Sequence, residues 1–277
     1  MRLARHGTAG AERPLISEAG GPWRDLRPVV ADLTPDTLPT VLDGVDLDAL
    51  PVVESTGRFG PPLTGIGKII CIGLNYRQHA SETGAAVPLE PIVFLKTPDT
   101  VVGPDDEVLI PRRSLNTDYE VELAVVIGRE ARYLPDEAAA AACVAGYAIS
   151  NDVSEREFQL ERGGQWDKGK NCETFNPLGP WLLTADEVPD PQALGLRLSV
   201  NGEPRQDSNT SDMIFGVHHL IWYLSNFMVL RPGDVINTGT PAGVALGQPD
   251  LPYLRAGDVV DVEIEGLGRQ RQIFGQA

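Results

Sequence analysis

The sequence predicts a mostly β fold of the α+β class, with a roll or barrel-like core, few helices, and a small α+β unit in front of it. Short apolar runs bounded by glycine or proline recur through most of the chain, which is typical of strands. Helix signals are sparse, and a proline-containing loop at 58–65 separates the beginning of the chain from the rest. We therefore expect an N-terminal domain at residues 1–65 and a main domain at residues 66–277.

The first unit combines both kinds of structure. Gly20-Gly21-Pro22 indicates a turn between short strand-like pieces. Thr34-Pro35-Asp36 favours the start of a helix, with the acid placed where the positive end of the helix dipole stabilises it.

Strands in the main domain are predicted from five apolar runs. These runs lie at 68–74, 91–96, 119–127, 147–151 and 196–201. Two later segments, 230–236 and 254–260, each resemble a Gly-Asp turn that leads into a β-branched strand. Helices are expected at the alanine run after Pro135 and from Phe215 to Met228, and the segment 177–180 is expected to form a turn.

Composition excludes several classes of protein. The net charge is −16, which disfavours binding to nucleic acid, and apolar residues make up an ordinary 42% of the chain. The three cysteines, Cys71, Cys143 and Cys172, are far apart and predict neither a disulfide framework nor a zinc knuckle. Without an apolar leader or a run of about 20 apolar residues, we expect no membrane association and a cytoplasmic location.

The strongest chemical signal is the segment from Asp118 to Glu122. Residues two apart on a strand share one face, so Glu120 and Glu122 are expected to point the same way, about 7 Å apart. Like charges that close are costly unless a cation neutralises them. A solvated acidic face is the alternative for this pair alone, and Asp118 is expected to be an acceptor behind the ligands or a surface residue.

A third carboxylate, Asp152, follows the predicted strand at 147–151. Three carboxylates without histidine or cysteine form an all-oxygen site, which favours Mg²⁺ or Mn²⁺ over zinc.

His79 and Glu82 are expected on a short helix after the first strand of the main domain. Their spacing places them on one helical face. A carboxylate beside one imidazole nitrogen orients the ring and raises the basicity of the other nitrogen, so the pair could activate water. An ordinary exposed His–Glu pair is the alternative.

Three further segments carry polar groups. Lys96 ends an apolar strand and Lys170 follows a flexible polar loop, and each is either a substrate ligand or a plain surface lysine. The Gly/Thr-rich turn at 238–244 offers backbone N–H groups to a carboxylate or an oxyanion. A P-loop and a serine nucleophile are both unsupported, because neither motif occurs.

Taken together, these segments resemble the fumarylacetoacetate hydrolase family over roughly residues 66–275. The motifs are Gly73-Leu-Asn-Tyr-x-x-His-x-x-Glu82, Phe94-Leu-Lys-Thr-Pro, Asp118-Tyr-Glu-Val-Glu-Leu, Asn151-Asp-Val-Ser, Gln165-Trp-x-x-Gly-Lys170, Phe175-x-Pro-Leu-Gly-Pro180 and Thr238-Gly-Thr-Pro-Ala-Gly243. Each is weak alone, but their shared order and spacing are highly specific.

The resemblance implies a mixed β-roll, usually dimeric, that acts on a small anionic oxo acid. It implies Mg²⁺ or Mn²⁺ bound by Glu120, Glu122 and Asp152, with His79, Glu82 and Lys170 as catalytic residues. It assigns substrate contacts to Lys96, Gln165 and Thr240.

The implied reaction is hydrolysis of a C–C bond in a 2,4-dioxo acid, giving pyruvate and a carboxylic acid. The stretch 151–166 and the ending Glu265-Gly-Leu-Gly-Arg-Gln most resemble the branch that hydrolyses 2,4-dioxo-3-deoxy sugar acids, such as 2,4-didehydro-3-deoxy-L-rhamnonate. An acylpyruvate is the broader expectation.

Two alternatives remain open at this point. The same groups could support decarboxylation of oxaloacetate or isomerisation of a hydroxymuconate-type diene, although a water-activating pair favours hydrolysis. A non-catalytic metabolite-binding protein would be expected to lack a ligand or a member of the pair, and none is missing.

Overall fold

The computed structural model describes residues 1–248, 250 and 252–277, which form eighteen strands and five α-helices. The strands are β1 (Arg2–His6), β2 (Arg13–Ser17), β3 (Arg24–Asp25), β4 (Phe59–Gly60), β5 (Ile69–Gly73), β6 (Ile92–Lys96), β7 (Val101–Val102), β8 (Val108–Ile110), β9 (Thr117–Asp118), β10 (Val121–Ile127), β11 (Val144–Asn151), β12 (Ser154–Glu155), β13 (Asn176–Thr184), β14 (Gly195–Val200), β15 (Glu203–Asn209), β16 (Val235–Asn237), β17 (Val259–Ile264) and β18 (Gly268–Gln276). The helices are α1 (Leu38–Leu42), α2 (Arg77–Glu82), α3 (Glu137–Ala141), α4 (Asp167–Lys170) and α5 (Val217–Leu224).

The strands form one large sheet, one smaller sheet and a short two-stranded ribbon. The large sheet has eleven strands, with the path β3-β2-β1-β13-β11-β10-β16-β5-β6 and with β4 and β7 joined at its side. The second sheet has the order β15-β14-β17-β18-β8, and β12 pairs with β9. Both sheets contain parallel and antiparallel pairs. The predicted mostly β fold with mixed sheets and few helices is confirmed.

Strand β10 lies in the middle of the large sheet and is buried on both faces. One face, which includes Leu123 and Val125, packs into a core shared with β14 and β17 of the second sheet. The other face, which includes Ala124 and Val126, packs into a core shared with the N-terminal segment. Glu122 has the same parity as Ala124 and Val126, so its carboxyl side chain starts from a buried face of the strand.

The first 65 residues continue the large sheet. β1 pairs antiparallel with β13, and Leu3, Ile16, Leu38 and Val41 belong to the same core as Ala124 of β10. The segment therefore supports the back of the strand that carries Glu122.

Most predicted elements lie where the sequence placed them, including the helix that contains His79 and Glu82. The predicted turn at 177–180 is wrong, because this stretch belongs to the nine-residue strand β13. Pro180 follows Gly179 at the point where the register between β11 and β13 shifts, so the ladder tolerates its missing N–H there. No helix in the described ranges combines the length and the apolar character that a membrane crossing needs.

Candidate metal centre

Three buried carboxylates converge at the junction of β10 and β11. Each of Glu120, Glu122 and Asp152 offers an oxygen, and these oxygens lie within 4.8 Å of one another. The two strands are antiparallel neighbours, so the start of β10 lies beside the end of β11. The backbone N–H of Asp152 donates to the carbonyl of Glu120 at 2.9 Å, which fixes the turn that brings the third carboxylate to the first two.

Two of the three carboxylates are neutralised by buried cations. Lys170 Nζ donates to Glu120 Oε2 at 2.8 Å and to Asp152 Oδ2 at 2.9 Å. Arg156 Nη2 lies 2.7 Å from Glu120 Oε1, and Lys96 Nζ donates to Asp152 Oδ1. Burial opposes ionisation of Glu120, but Lys170 and Arg156 outweigh it and lower its pKa to about 2.

Glu122 has no such partner in the described part of the chain. It accepts one hydrogen bond, from the backbone N–H of Gly239 at 2.8 Å. Burial raises its pKa well above the usual range, and the neighbouring charges of Asp152 and Glu120 raise it further.

These residues fit a hard divalent cation. The donor set is all oxygen and buried, and burial together with Asp152 and Glu120 opposes the ionisation of Glu122 in the absence of a cation. Glu120, Glu122 and Asp152 would hold Mg²⁺ or Mn²⁺, and either ion would remove the repulsion at Glu122.

His79 and Glu82 face one another on α2. His79 Nδ1 lies 4.0 Å from Glu82 Oε1, and Glu82 Oε2 accepts a hydrogen bond from the N–H of Gly243 at 2.7 Å. Burial lowers the pKa of His79, against the opposing charge of Glu120, so its imidazole is held neutral. A neutral imidazole is the form that can accept a proton.

A cavity of about 340 Å³ opens above the carboxylates. The residues that line it are Ile72, Gly73, Leu74, His79, Thr83, Ala85, Phe94, Glu120, Glu122, Arg156, Gln159, Leu160, Trp166, Lys170, Thr240 and Leu246. The predicted base, two of the predicted ligands and the predicted catalytic lysine therefore border one space, which is at the small end of ligand pockets.

Lys96 and Lys170 have different environments. Lys96 donates to Asp152, to the carbonyl of Val153 at 3.1 Å and to the carbonyl of Phe175 at 2.6 Å. An ammonium has three N–H donors, so all of those of Lys96 are in use by the protein. Lys170 uses two of its donors and borders the cavity, which leaves one for a ligand.

Thr240 and Gln165, the other two predicted substrate contacts, differ in their position relative to the cavity. Thr240 lines the cavity, where its hydroxyl donates to the carbonyl of Val121 at 3.0 Å and accepts from Gln206 at 2.8 Å. Gln165 is exposed, lies outside the cavity lining and contacts Asp167 at 3.4 Å.

The backbone N–H groups of the Gly/Thr-rich turn at 238–244, which were expected to bind an anion, donate to carboxylates of the protein instead. The N–H groups of Gly239 and Gly243 donate to Glu122 and Glu82, respectively, rather than being left free for an anion. Both glycines have positive φ, and a Cβ at Gly243 would lie 2.0 Å from the carbonyl oxygen of Arg205. One turn thus positions both a metal-ligand candidate and the acid that faces His79.

Sequence reasoning assigned no site role to Arg156, Gln159 or Trp166. Arg156 Nε donates to Asp118 Oδ2 at 2.8 Å, and Asp118 is a buried acceptor rather than a surface residue. Gln159 accepts from Arg156 Nη1 at 3.0 Å. Arg156 and Gln159 are three residues apart and come shortly after Asp152. On a helix that spacing places both on one face, so the sequence could have indicated that they lie together near the carboxylates.

Comparison with known proteins identifies the family of the chain. The family model described as "Fumarylacetoacetate (FAA) hydrolase C-terminal" matches residues 68–274. The chain belongs to the fumarylacetoacetate hydrolase family. A relative from Burkholderia multivorans is 52% identical over 278 residues, covering 99% of this chain and 98% of its own length, and its name goes no further than hydrolase.

Solved structures of several family members are similar along the whole chain. The fumarylacetoacetate hydrolase of Exiguobacterium antarcticum is 36% identical, with a TM-score of 0.88 and complete coverage of both chains. A 2-hydroxyhepta-2,4-diene-1,7-dioate isomerase homologue from Mycobacterium abscessus is 32% identical, with a TM-score of 0.85, covering 100% of this chain and 99% of its own. The maleylpyruvate hydrolase of Sphingobium sp. SYK-6, solved with manganese(II) and pyruvate, is 29% identical with a TM-score of 0.82 and complete coverage of both chains.

Proposed function

We propose that this family member is a metal-dependent hydrolase that cleaves a C–C bond in a 2,4-dioxo acid. The substrate is an acylpyruvate or a 2,4-dioxo-3-deoxy sugar acid, and the products are pyruvate and a carboxylic acid. The observation that carries the proposal is that His79, backed by Glu82, borders the same cavity as Glu120, Glu122 and Lys170.

The three carboxylates define the end of the cavity at which the 2-oxo acid binds. Mg²⁺ or Mn²⁺, when held by Glu120, Glu122 and Asp152, would supply positive charge that favours the negative charge developing during cleavage. The remaining donor of Lys170 reaches the same region. We assign Lys170 the stabilisation of the departing pyruvate enolate, which is a poor leaving group in water.

His79 supplies the base. Its Nδ1 faces Glu82, so the other ring nitrogen is the one available to take a proton from water. The resulting hydroxide attacks the distal carbonyl carbon, the C–C bond breaks, and its electron pair passes to the pyruvate enolate. The proton that His79 took from water passes to the carbon of that enolate, which completes pyruvate and restores the neutral imidazole. Thr240, at the cavity edge, is proposed to contact the substrate.

Isomerisation is the second candidate, because some similar structures carry isomerase names. Hydrolysis needs an activated water, whereas a shift of a double bond moves a proton between carbons and adds no water. A buried, neutral His79 with an acid behind it supports hydrolysis over decarboxylation of oxaloacetate, the third possible reaction, which needs no base. A base would also serve isomerisation, so the choice between hydrolysis and isomerisation is made by the substrate that turns over.

We also propose a cytoplasmic homodimer, on the family resemblance alone. Light scattering of the purified protein tests the dimer.

The deciding experiment measures pyruvate release from acetylpyruvate, fumarylpyruvate and a 2,4-dioxo-3-deoxy sugar acid, with Mg²⁺, with Mn²⁺ and with chelator. Oxaloacetate and a hydroxymuconate-type diene are included as competing substrates. Metal-dependent pyruvate from a dioxo acid that is lost in His79→Ala supports the proposal. Turnover of oxaloacetate or the diene alone, with no pyruvate from any dioxo acid, would overturn it.

A further inference from the structure

We infer that the cavity selects a 2,4-dioxo acid whose acyl group is uncharged and apolar, with Trp166 as the specificity-determining wall. This inference rests on the proposed function, since it concerns the acyl end of that substrate. It favours acylpyruvates over the polyhydroxylated sugar acids.

The cavity has a polar end and an apolar remainder. His79, Glu120, Glu122, Lys170 and Thr240 account for the reacting end described above. Most of the remaining lining is hydrocarbon, contributed by Ile72, Leu74, Phe94, Leu160, Trp166 and Leu246. Burial of an apolar group against such a lining is favourable in proportion to the area removed from water.

Few of the other polar groups in the lining are available to a substrate tail. Thr83 donates its hydroxyl to the carbonyl of His79 at 3.0 Å, and the amide oxygen of Gln159 accepts from Arg156, which leaves the amide NH2 of Gln159 as a donor for a ligand. Hydroxyl groups on a sugar-acid tail would therefore lose their bonds to water and find few replacements.

A substrate tail that ends in a carboxylate is also disfavoured by the charges in the lining. The cations that line the cavity, within the described ranges, are Lys170 and Arg156. Lys170 is paired with Glu120 and Asp152, and Arg156 is paired with Asp118 and Glu120. A distal carboxylate would have no uncommitted cation to balance it.

Trp166 is held in place by contacts on two sides. Its indole lies so close to the backbone of Gly73 that a Cβ there would be 2.4 Å from Cζ3. The ring also packs edge-to-face on Phe94, with centroids 5.6 Å apart. Phe94 in turn lies 5.0 Å from Lys170 Nζ, so the aromatic wall begins directly beside the reacting end.

Helix α4, which follows Trp166, is fixed to the edge strand β6. Asp167 accepts from the N–H of Leu95 at 3.0 Å, and Asn171 donates to the carbonyl of Leu95 at 3.0 Å and accepts from the N–H of Thr97. The same short helix ends in Lys170. The wall and the catalytic lysine are therefore anchored as one unit, so a tail seated on Trp166 is also aligned with Lys170.

The test compares kcat/KM for acetylpyruvate, butanoylpyruvate, benzoylpyruvate, fumarylpyruvate and a dioxo acid of matched length with a hydroxylated tail. We expect butanoylpyruvate to exceed acetylpyruvate by about tenfold or more, with the hydroxylated and carboxylated tails below both. Trp166→Ala should lower kcat/KM for benzoylpyruvate about tenfold or more and that for acetylpyruvate much less. Trp222→Ala removes an indole outside the cavity lining and should leave the ranking unchanged.

Gly73→Ala gives a second, independent readout, because it displaces the indole without removing it. It should also reduce the preference for benzoylpyruvate, in protein whose thermal unfolding shows that it is folded. A higher kcat/KM for the hydroxylated or carboxylated tail, or an unchanged preference in both cavity variants, would overturn the inference while leaving the hydrolase proposal intact.

Absence of turnover for every dioxo acid would instead overturn the proposed function. Binding then decides the role of the wall, through quenching of tryptophan fluorescence by 2-oxo acids with methyl, propyl or phenyl tails. Quenching that becomes stronger as the apolar tail becomes larger, and that is lost in Trp166→Phe, supports the role of Trp166 as the residue that contacts the tail. Equal binding of all tails would overturn it.

Discussion

His79 Nδ1 lies 4.0 Å from Glu82 Oε1, and neither atom has a hydrogen-bond partner within the described part of the chain. The other oxygen of Glu82 is fixed by Gly243, so the acid is anchored while its free oxygen points toward the imidazole. Catalytic hydrogen bonds are often long before substrate binds, and a small rotation of the imidazole would close this one. The pair thus has the geometry of a base and its orienting group.

The first prediction concerns the base. Replacement of His79 by alanine should lower kcat for dioxo-acid hydrolysis by about 10²- to 10⁴-fold, which is the usual contribution of a general base. Because His79 is not among the candidate ligands, Mn²⁺ affinity measured by calorimetry should be unchanged. His219→Ala is the matched control, since His219 also faces a glutamate, Glu137 at 2.9 Å, but lies outside the cavity lining. Equal losses in both variants would contradict the assignment.

The second prediction concerns Glu122 in the absence of metal. Glu122→Gln removes a buried carboxyl group whose ionisation is opposed by burial and by the charges of Asp152 and Glu120, so the chelated variant should unfold at a higher temperature than the chelated wild type. Addition of metal should stabilise the variant less than it stabilises the wild type. Mn²⁺ at 100 times Kd stabilises a single-site protein by about 2.7 kcal/mol, and the variant should lose most of that gain.

The control for this prediction is Glu263→Gln. Glu263 also lies on a strand but is exposed, so its replacement should change neither the chelated nor the Mn²⁺-bound melting temperature. A chelated Glu122→Gln protein less stable than wild type would show that Glu122 is already compensated without metal.

The third prediction separates the two possible roles of Lys96. Because its three donors are bonded to protein acceptors, Lys96→Met should destabilise the fold by about 3 kcal/mol, which is typical of a broken buried ion pair. Urea unfolding measures this loss. Lys168→Met removes an exposed lysine from the same region and should cost little. A Lys96 variant of normal stability with only a raised KM would restore the substrate role that the sequence suggested.

The fourth prediction uses two glycines with similar positive φ. At Gly257 (φ 95°) a Cβ meets no atom within 4 Å, so Gly257→Ala should cost only the backbone strain of about 1–2 kcal/mol. At Gly243 (φ 105°) the same methyl strikes the carbonyl of Arg205, so the loss should be larger. Gly243→Ala should also lower kcat, because the N–H that anchors Glu82 moves. Equal stability losses and an unchanged kcat would contradict this reading.

The convergence of the carboxylates was predictable because it follows from local rules. Glu120 and Glu122 are two apart at the start of a strand, and Asp152 directly follows the next strand along the chain. Antiparallel pairing of neighbouring strands then brings the three together. The His79–Glu82 pair was predictable for a similar reason, since helical spacing alone places both on one face.

The environments of Lys96 and Lys170 could not be predicted from the spacing of residues along one strand or helix. Lys96 ends an apolar strand, which is equally typical of a surface lysine and of a buried one. Its bonds to Asp152 and Phe175 join residues far apart in the chain, so they depend on the assembled sheets. The position of Trp166 also depends on tertiary contact, because its place over Gly73 requires the strand β5 beneath it.

The reacting groups and the apolar wall come from different kinds of backbone. The carboxylates lie in β10 or directly beside the ends of β10 and β11, whose residues are packed in the core, so a change of backbone there would disturb that packing. Leu160, Trp166 and Leu246 come from short helical turns and loops at the rim. Related proteins could therefore differ in their rim residues, and so bind different acids, while they keep the same reacting groups. This gives a physical basis for the variety of enzyme names within one architecture.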